Sequence, residues 1–369
     1  MARISRNWLY GLGAAVVLVF VVAVVLRLAG GQALIGAPTV RSPGASPAAT
    51  LAYWTPQRMR GAGPFPMPVL QGGPRTGHTP RAGAPGSAGS AGGGPPRGEV
   101  PPVPSPAAAP GEVLSPNPAY RYPYPFARTG VFPFSQYRNW PWSANGRLFF
   151  TRGGVDYVCS GASVARSRVT KRRALVLTAG QCVNAGGTGS RGGVWSTNVI
   201  FCPAHLDGAS PFGCWAGQLL WTTREWYASS NLTRDVGFVV VARNTCGELG
   251  DCVGDAGLAW NQSDRQQYWA IGYPQAPPFT GGRMILCTAG TAVRDAVNGL
   301  PGPDTVGIGC EMNAGSSGGA WNYGMRMGTA GVANSVTSYK YATQPLALYG
   351  PYFDLLIMRL WQDASASIR

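Results

Sequence analysis

Asn313-Ala-Gly-Ser-Ser-Gly-Gly-Ala-Trp321 is the stretch of this 369-residue chain whose glycine spacing decides how the rest is interpreted. Within it Ser317 stands between glycines, which allow a sharp turn that projects the serine hydroxyl while nearby backbone N–H groups converge beside it. A Gly/Ser run by itself is more often a flexible turn. A nucleophilic serine also needs a general base and an acid that orients this base, so we looked upstream for both.

Two upstream stretches are candidates for these partners. Asp235-Val-Gly-Phe-Val-Val-Val241 puts an acid at the head of a β-branched run, which predicts a buried strand whose first residue faces a site. The alternative is an acid that caps a strand or turn. Ala174-Leu-Val-Leu-Thr-Ala-Gly-Gln-Cys182 resembles the signature of the trypsin-like serine peptidase family, an apolar strand followed by Thr-Ala-Gly-His-Cys or Thr-Ala-Ala-His-Cys. Gln181 stands where that family has its catalytic His.

The resemblance extends from about Gly146 to Trp361 and is greatest to the bacterial, glutamyl-endopeptidase-like branch of the family. Four further stretches support it: Leu148-Phe-Phe-Thr151 entering a first strand, Trp195 to Phe201 as a barrel strand, Ile271-Gly-Tyr-Pro274, and Gly331-Val-Ala-Asn-Ser335 as the strand that lines the substrate cleft. The resemblance implies an all-β, chymotrypsin-like fold of two antiparallel six-stranded β-barrels.

The pattern after Asp207 agrees with that fold class. Short β-branched or aromatic runs alternate with Gly, Pro, Asn and Asp, and helical periodicity is absent except from Tyr352 to Trp361. This pattern predicts an antiparallel barrel pair closed by a C-terminal helix.

The resemblance also implies a set of site residues. Ser317 would be the nucleophile, Asp235 the orienting acid and Gln181 a degenerate base, with the N–H groups of Gly315 and Ser317 as the oxyanion hole. Glu311, six residues before Ser317, lies at a position that lines the primary pocket in trypsin-like relatives. It predicts either an acidic pocket that accepts a basic side chain or a structural role beside Cys310.

Gln181 determines the expected activity, because a carboxamide neither takes up nor returns a proton near neutral pH. Removing the His from such a triad lowers kcat by about 10⁶. We expect Gln181 to accept a hydrogen bond from Ser317 and to donate one to Asp235. The sequence therefore predicts a pseudopeptidase, a catalytically dead or severely impaired homologue that binds a peptide or protein in the inherited cleft.

Two other functions compete with this hypothesis. The first is an active serine endopeptidase that uses Ser317 with substrate assistance, water or a relocated base. His205 is the candidate base, although we expect it in a loop between Cys202 and Cys214. His78 lies in the Pro/Gly-rich region and is a poor candidate. The second is an exported structural domain without a ligand.

Eight cysteines lie between residues 159 and 310, and their even number in an exported chain predicts disulfides. The family resemblance implies the pair Cys159–Cys182. Proximity in sequence suggests the pairs Cys202–Cys214, Cys246–Cys252 and Cys287–Cys310. Zinc is disfavoured because there is no Cys-x-x-Cys pair, and no motif calls for another metal or a cofactor.

The first part of the chain divides by composition. Residues 1–29 contain the apolar run Trp8 to Leu28, flanked by arginines, which predicts a transmembrane anchor with the following domain outside the cell. The alternative is a signal peptide cleaved after export. Residues 30–119, rich in Pro, Gly, Ala and Ser, predict a disordered linker, residues 120–145 an aromatic arm that packs on the barrels, and residues 146–365 the peptidase-like domain.

The charge is concentrated in the same region. Residues 1–150 carry 13 Arg against 2 Glu, a net charge of +11, which leaves +4 of the total +15 for residues 151–369. A basic tether predicts contact with anionic lipid or cell-wall polymer. The alternative is a solvated, self-repelling linker without a partner. Nucleic acid is a poor candidate partner because the folded part shows no basic stripe beyond Lys171-Arg-Arg173.

Overall fold

The computed structural model describes residues 39–41, 46–75, 88–97, 124–263, 265–326 and 328–368. The predicted anchor, Trp8 to Leu28, lies outside these residues, as does His78. Within the described ranges, no helix combines the length and the apolar character needed to cross a bilayer.

The strands of the described residues run in chain order as β1 (Thr39–Arg41), β2 (Gly63–Pro64), β3 (Val69–Leu70), β4 (Gly89–Ala91), β5 (Ala127–Gly130), β6 (Asn145–Arg152), β7 (Val155–Ser163), β8 (Leu175–Thr178), β9 (Thr197–Pro203), β10 (Trp215–Thr222), β11 (Gly237–Val241), β12 (Gly257–Trp260), β13 (Gln267–Gly272), β14 (Ile285–Asp295), β15 (Thr305–Gly309), β16 (Ala320–Tyr323), β17 (Val332–Val336), β18 (Tyr339–Tyr341) and β19 (Gln344–Gly350). The helices are α1 (Pro47–Tyr53), α2 (Pro56–Gly61), α3 (Gly180–Val183), α4 (Arg224–Ser229), α5 (Leu249–Val253) and α6 (Leu355–Ala366). Short 3₁₀ helices lie at Phe134–Arg138, Trp142–Ala144, Leu232–Arg234 and Val297–Gly299.

The first sheet contains a closed antiparallel barrel of six strands. Its order is β10-β11-β8-β7-β6-β9, and pairing of β9 with β10 closes it. Every residue of β8 and β11 is buried, as their β-branched and apolar sequences predict. The first predicted barrel is therefore confirmed, and β1 and β2 pair with its strands β10 and β7.

The second sheet is larger than the six-stranded barrel that the resemblance implies. Its order is β3-β18-β19-β15-β14-β13-β16-β17-β12-β4, with β5 paired to β14. Two of its strands, β3 and β4, come from the Pro/Gly-rich part of the chain, and β5 comes from the aromatic arm. Together the two sheets confirm a mostly-β fold consistent with the chymotrypsin-like class.

The C-terminal helix α6 is present where the apolar periodicity predicts it. Asp354 caps it, accepting hydrogen bonds from Leu356 N at 3.0 Å and Ile357 N at 3.3 Å. Trp361 Nε1 donates to Ala165 O at 2.6 Å, which fixes the helix to the loop after β7.

The prediction of a disordered linker is wrong for residues 46–75 and 88–97. Ser46 and Thr55 accept hydrogen bonds from the first turns of α1 and α2, each followed by a proline at the first helical position. Trp54 is 4% exposed and packs with Phe149 of β6. Composition alone missed these elements because a few apolar side chains hold them onto a surface formed much later in the chain.

The aromatic arm packs on the domain, as predicted, through β5 and through Tyr137, whose hydroxyl accepts a hydrogen bond from Met284 N at 2.7 Å. All four predicted disulfides are confirmed: Cys159–Cys182, Cys202–Cys214, Cys246–Cys252 and Cys287–Cys310. Disulfides of this number indicate a protein that folds in an oxidising compartment outside the cytosol.

Candidate active site

Ser317 lies in the tight turn between β15 and β16. Gly315 has a φ of +95°, and a Cβ there would lie 2.7 Å from Tyr273 O, so the position requires glycine. Ser316 N donates to Asn313 O at 3.0 Å and closes the turn. Within the described part of the chain, the N–H groups of Gly315 and Ser317 donate to no other residue. They remain available to an oxyanion, the role that the resemblance predicts for them.

Gln181 and Asp235 form a closely bonded pair. Gln181 N donates to Asp235 Oδ1 and Gln181 Nε2 to Asp235 Oδ2, both at 2.7 Å. The same Nε2 donates to Ser338 O at 2.7 Å, and Ser338 Oγ donates to Asp235 Oδ2 at 2.6 Å. Burial raises the pKa of Asp235 to about 6, although the hydrogen bonds from Ser338, Gln181 and Gly180 oppose this rise.

The predicted hydrogen bond from Ser317 to Gln181 is not formed. Ser317 Oγ and Gln181 Oε1 are both buried, and neither has a hydrogen-bond partner among the described residues. Gln181 Nε2 donates its two protons to Asp235 and Ser338, and this bonding fixes the orientation of the carboxamide. The prediction that Gln181 donates to Asp235 agrees with the structure.

Local elements explain the position of the pair. Gln181 lies in α3, directly after β8, and the Cys159–Cys182 disulfide ties this helix to β7. Arg152 Nη2 donates to Gln181 O at 2.9 Å from β6. Asp235 follows the 3₁₀ helix Leu232–Arg234 and precedes β11, which pairs with β8. Two adjacent strands therefore bring the two side chains together.

Ser160 and Ser338 also belong to the site, although the sequence did not predict a role for them. Ser160 N donates to Ser317 O at 2.8 Å, and Ser160 Oγ donates to Gly315 O at 2.9 Å. Tyr273 N donates to the same hydroxyl at 2.8 Å. The nearest available signals were the position of Ser160 beside Cys159 and that of Ser338 just after the predicted cleft strand, neither of which is specific.

The region around Glu311 is occupied by the protein's own side chains. Glu311 forms an ion pair with Arg128 of β5. Lys340 of β18 is buried, and its Nζ donates to Met312 O and Pro345 O, both at 2.8 Å. Burial lowers the pKa of Lys340 to about 8. The role of Glu311 in substrate recognition stays a prediction, and its observed contact favours the structural alternative.

His205 is engaged away from the serine. The ring is 2% exposed, with Nδ1 3.1 Å from Ser210 Oγ and Nε2 3.4 Å from an Arg147 guanidinium nitrogen. Burial, with the adjacent Arg147 charge, lowers the pKa of His205 to about 3, so the ring is neutral and accepts from Arg147 through Nε2. Both ring nitrogens thus have partners other than Ser317.

The candidate residues are shielded from solvent. Ser317 and Asp235 are 0% exposed and Gln181 is 2% exposed. Residues 62–75 run between β7, which is linked to Ser317 through Ser160, and β18, which directly follows Ser338. Met67, in the middle of this stretch, is 7% exposed.

This chain is similar to the solved structures of two proteases. A scan against family models gives no match, and no curated protein matches the chain. The crystal structure of protease Anisep from Arthrobacter nicotinovorans is 34% identical, covers 65% of this chain and 100% of its own, and has a TM-score of 0.56. The thermostable serine protease AL20 from an extremophilic microorganism is 32% identical, covers 64% of this chain and 100% of its own, and has a TM-score of 0.54.

Proposed function

Since this chain belongs to the trypsin-like serine protease family, we propose that it is a pseudopeptidase, a member that lacks the general base and binds a peptide or protein segment in the inherited cleft. The observation that carries the proposal is the bonding of Gln181. A carboxamide occupies the place next to Asp235 and uses both of its amide protons on Asp235 and Ser338. It has no titratable group with which to activate Ser317.

The rest of the site supports binding rather than turnover. Ser317, the Gly315 turn and the free N–H groups are retained, so the residues that would position a peptide carbonyl are present. A site with an oxyanion hole but no base retains about 10³- to 10⁴-fold catalysis over water, far below a functioning protease. The alternative of a relocated base at His205 has less support, because Arg147 and Ser210 hold its ring.

We further propose that the domain acts outside the cell, held at the membrane by Trp8 to Leu28, or is secreted after cleavage of that segment. Four disulfides support an extracytoplasmic location. The basic residues of the first 150 would favour anionic lipid or cell-wall polymer as a secondary contact.

Labelling with a fluorophosphonate probe tests the missing base. All chains compared carry Met67→Glu, because Met67 lies in the stretch that pairs with β7 and β18 next to Ser160 and Ser338. We expect the chain with Gln181→His to react at Ser317 at least about 10³-fold faster than the chain with native Gln181, since the added His supplies the base. Ser317→Ala provides the background.

Two outcomes would contradict the proposal. Equal, rapid labelling with and without Gln181→His would mean that the chain has a base of its own, and loss of this labelling in His205→Ala would identify it. Absence of labelling in the Gln181→His chain, when its Lys340 amide exchanges faster than in the wild type and the stretch is therefore open, would mean that more than the base is missing.

A further inference from the structure

Residues 62–75 pair with strands on both sides of the candidate site. On the side of the first sheet, Gly63 and Pro64 pair with Tyr157 and Val158 of β7, and Phe65 N donates to Val158 O at 2.9 Å. Ala62 O accepts a hydrogen bond from Gln275 Nε2 at 2.9 Å. The stretch is therefore anchored two residues from Ser160, whose N–H holds Ser317 O.

On the side of the second sheet, the same stretch pairs with β18 along the edge opposite its pairing with β19. Lys340 N donates to Pro68 O at 3.1 Å, and Ala342 N donates to Leu70 O at 2.9 Å. This pairing begins two residues after Ser338, which bonds to Asp235. An extended peptide that docked on this edge would need the same two N–H groups.

Side chains fix the stretch between these two anchors. Met67 packs in the apolar cluster that includes Met312 and borders Ala314. These two residues lie five and three positions before Ser317 in the chain. The Phe65 ring lies 4.8 Å from the Arg152 guanidinium, which in turn bonds to Gln181 O. The stretch is therefore held on the first sheet beside Gln181 and on the second sheet beside the turn that carries Ser317.

The sequence of the stretch suits an occupant that can be displaced. Proline stands at 64, 66 and 68, so every second residue lacks an N–H and the chain is preorganised in an extended form. Ala62 and Met67 are its two deeply buried residues, whereas all five residues of the central strand β15 are buried. Fewer contacts mean a lower free energy of local opening than for a central strand.

We propose that residues 62–75 are the resident ligand of the cleft, so that an external peptide binds only when this stretch leaves β18. The inference rests on the proposed peptide-binding function and adds its regulation. The apparent dissociation constant of an external peptide is then the intrinsic constant divided by the fraction of open molecules.

The test uses the full-length chain with Met67→Glu, which puts a charge into the apolar cluster. Its matched control is Val69→Glu, in the same stretch at a residue that is 52% exposed. The probes are hydrogen exchange at Lys340 and Ala342 and binding of a synthetic peptide with the sequence of residues 61–75. We expect exchange at both amides, and affinity for the peptide, to rise at least about tenfold in Met67→Glu and to stay at the wild-type level in Val69→Glu.

Unchanged exchange and unchanged peptide affinity in Met67→Glu would overturn the inference. Exchange at the central strand β15 verifies that the variant is folded. If β15 loses protection, Phe65→Ala, which removes the contact with Arg152, replaces Met67→Glu under the same criteria.

A pool of unrelated synthetic dodecapeptides separates this inference from the proposed function. If the 61–75 peptide binds Met67→Glu and no pool member does, the resident ligand stands and the proposed function falls. If pool members bind the wild type as tightly as Met67→Glu, the proposed function stands and the resident ligand falls.

Discussion

Two buried residues, Asp235 in the candidate site and His205 outside it, have opposite effects on how stability depends on pH. The pKa of Asp235 is raised to about 6, so this residue contributes most to stability at low pH, and its contribution falls as the pH rises from about 4 to 6. The pKa of His205 is lowered to about 3, so its contribution falls as the pH drops from about 6.5 to 3. The two effects oppose each other between pH 4 and 6.5.

The substitution Asp235→Asn should leave the pH dependence of stability that comes from His205 unopposed. With Asp235 removed, the gain in unfolding free energy between pH 4 and pH 7 should be about 2 kcal/mol larger than in the wild type, since one pKa unit corresponds to about 1.4 kcal/mol. Urea denaturation at the two pH values measures this difference. A gain equal to that of the wild type would mean that Asp235 is ionised throughout the range.

At the scale of elements, the cap of α6 connects the C-terminal helix to the strand that begins just after Asp235. Asp354 Oδ1 accepts hydrogen bonds from two helical N–H groups and from Arg234 Nη1 at 2.9 Å. Arg234 is adjacent to Asp235 and its side chain is 10% exposed, so loss of this carboxylate would leave a largely buried cation without its partner.

Substitution at Asp354 separates the cap from the ion pair. We expect Asp354→Ala to lower the free energy of unfolding by about 2–3 kcal/mol, and Asp354→Asn by about half as much, because Asn keeps the cap and loses the charge. Chemical denaturation of both variants at pH 7 measures the difference. Equal losses in the two variants would mean that the cap contributes nothing.

Elements differed in how far the sequence could predict them. The runs around Asp235 and Gln181 predicted adjacent buried strands, and the Gly315–Gly319 spacing predicted the turn that carries Ser317, because local sequence determines such features. The strand pairing of Val69 could not be predicted, since a Pro/Gly-rich stretch carries no local periodicity and its partner lies in a distant part of the chain. The orientation of the Gln181 amide likewise depends on Ser338, a residue from the second sheet.

At the scale of the whole molecule, the folded unit extends further toward the N-terminus than its composition suggests. Trp54, Ala62 and Met67 are each less than 10% exposed, and they cover apolar residues of both sheets. A boundary at residue 120 or 146 would leave those surfaces open to water.

Two truncated chains test this boundary. A chain that begins at residue 46 should melt about 10–20 °C higher than one that begins at residue 120, because burial of these side chains contributes about 5 kcal/mol and each kcal/mol shifts Tm by about 2–4 °C. Differential scanning calorimetry of both chains gives the two values. Equal melting temperatures would mean that residues 46–75 do not stabilise the domain.

The pairing of residues 62–75 with β18 also has a consequence for how the protein is made. Gly72 and its partner Thr343 are separated by 271 residues, and translation proceeds at roughly 5–20 residues per second, so the ribosome adds the second about 15–50 s after the first. During that interval the stretch has no groove to enter. When β18 is finally synthesised, a covalently tethered occupant is already present, whereas a free peptide must arrive by diffusion, and newly made molecules should close before they meet a free peptide.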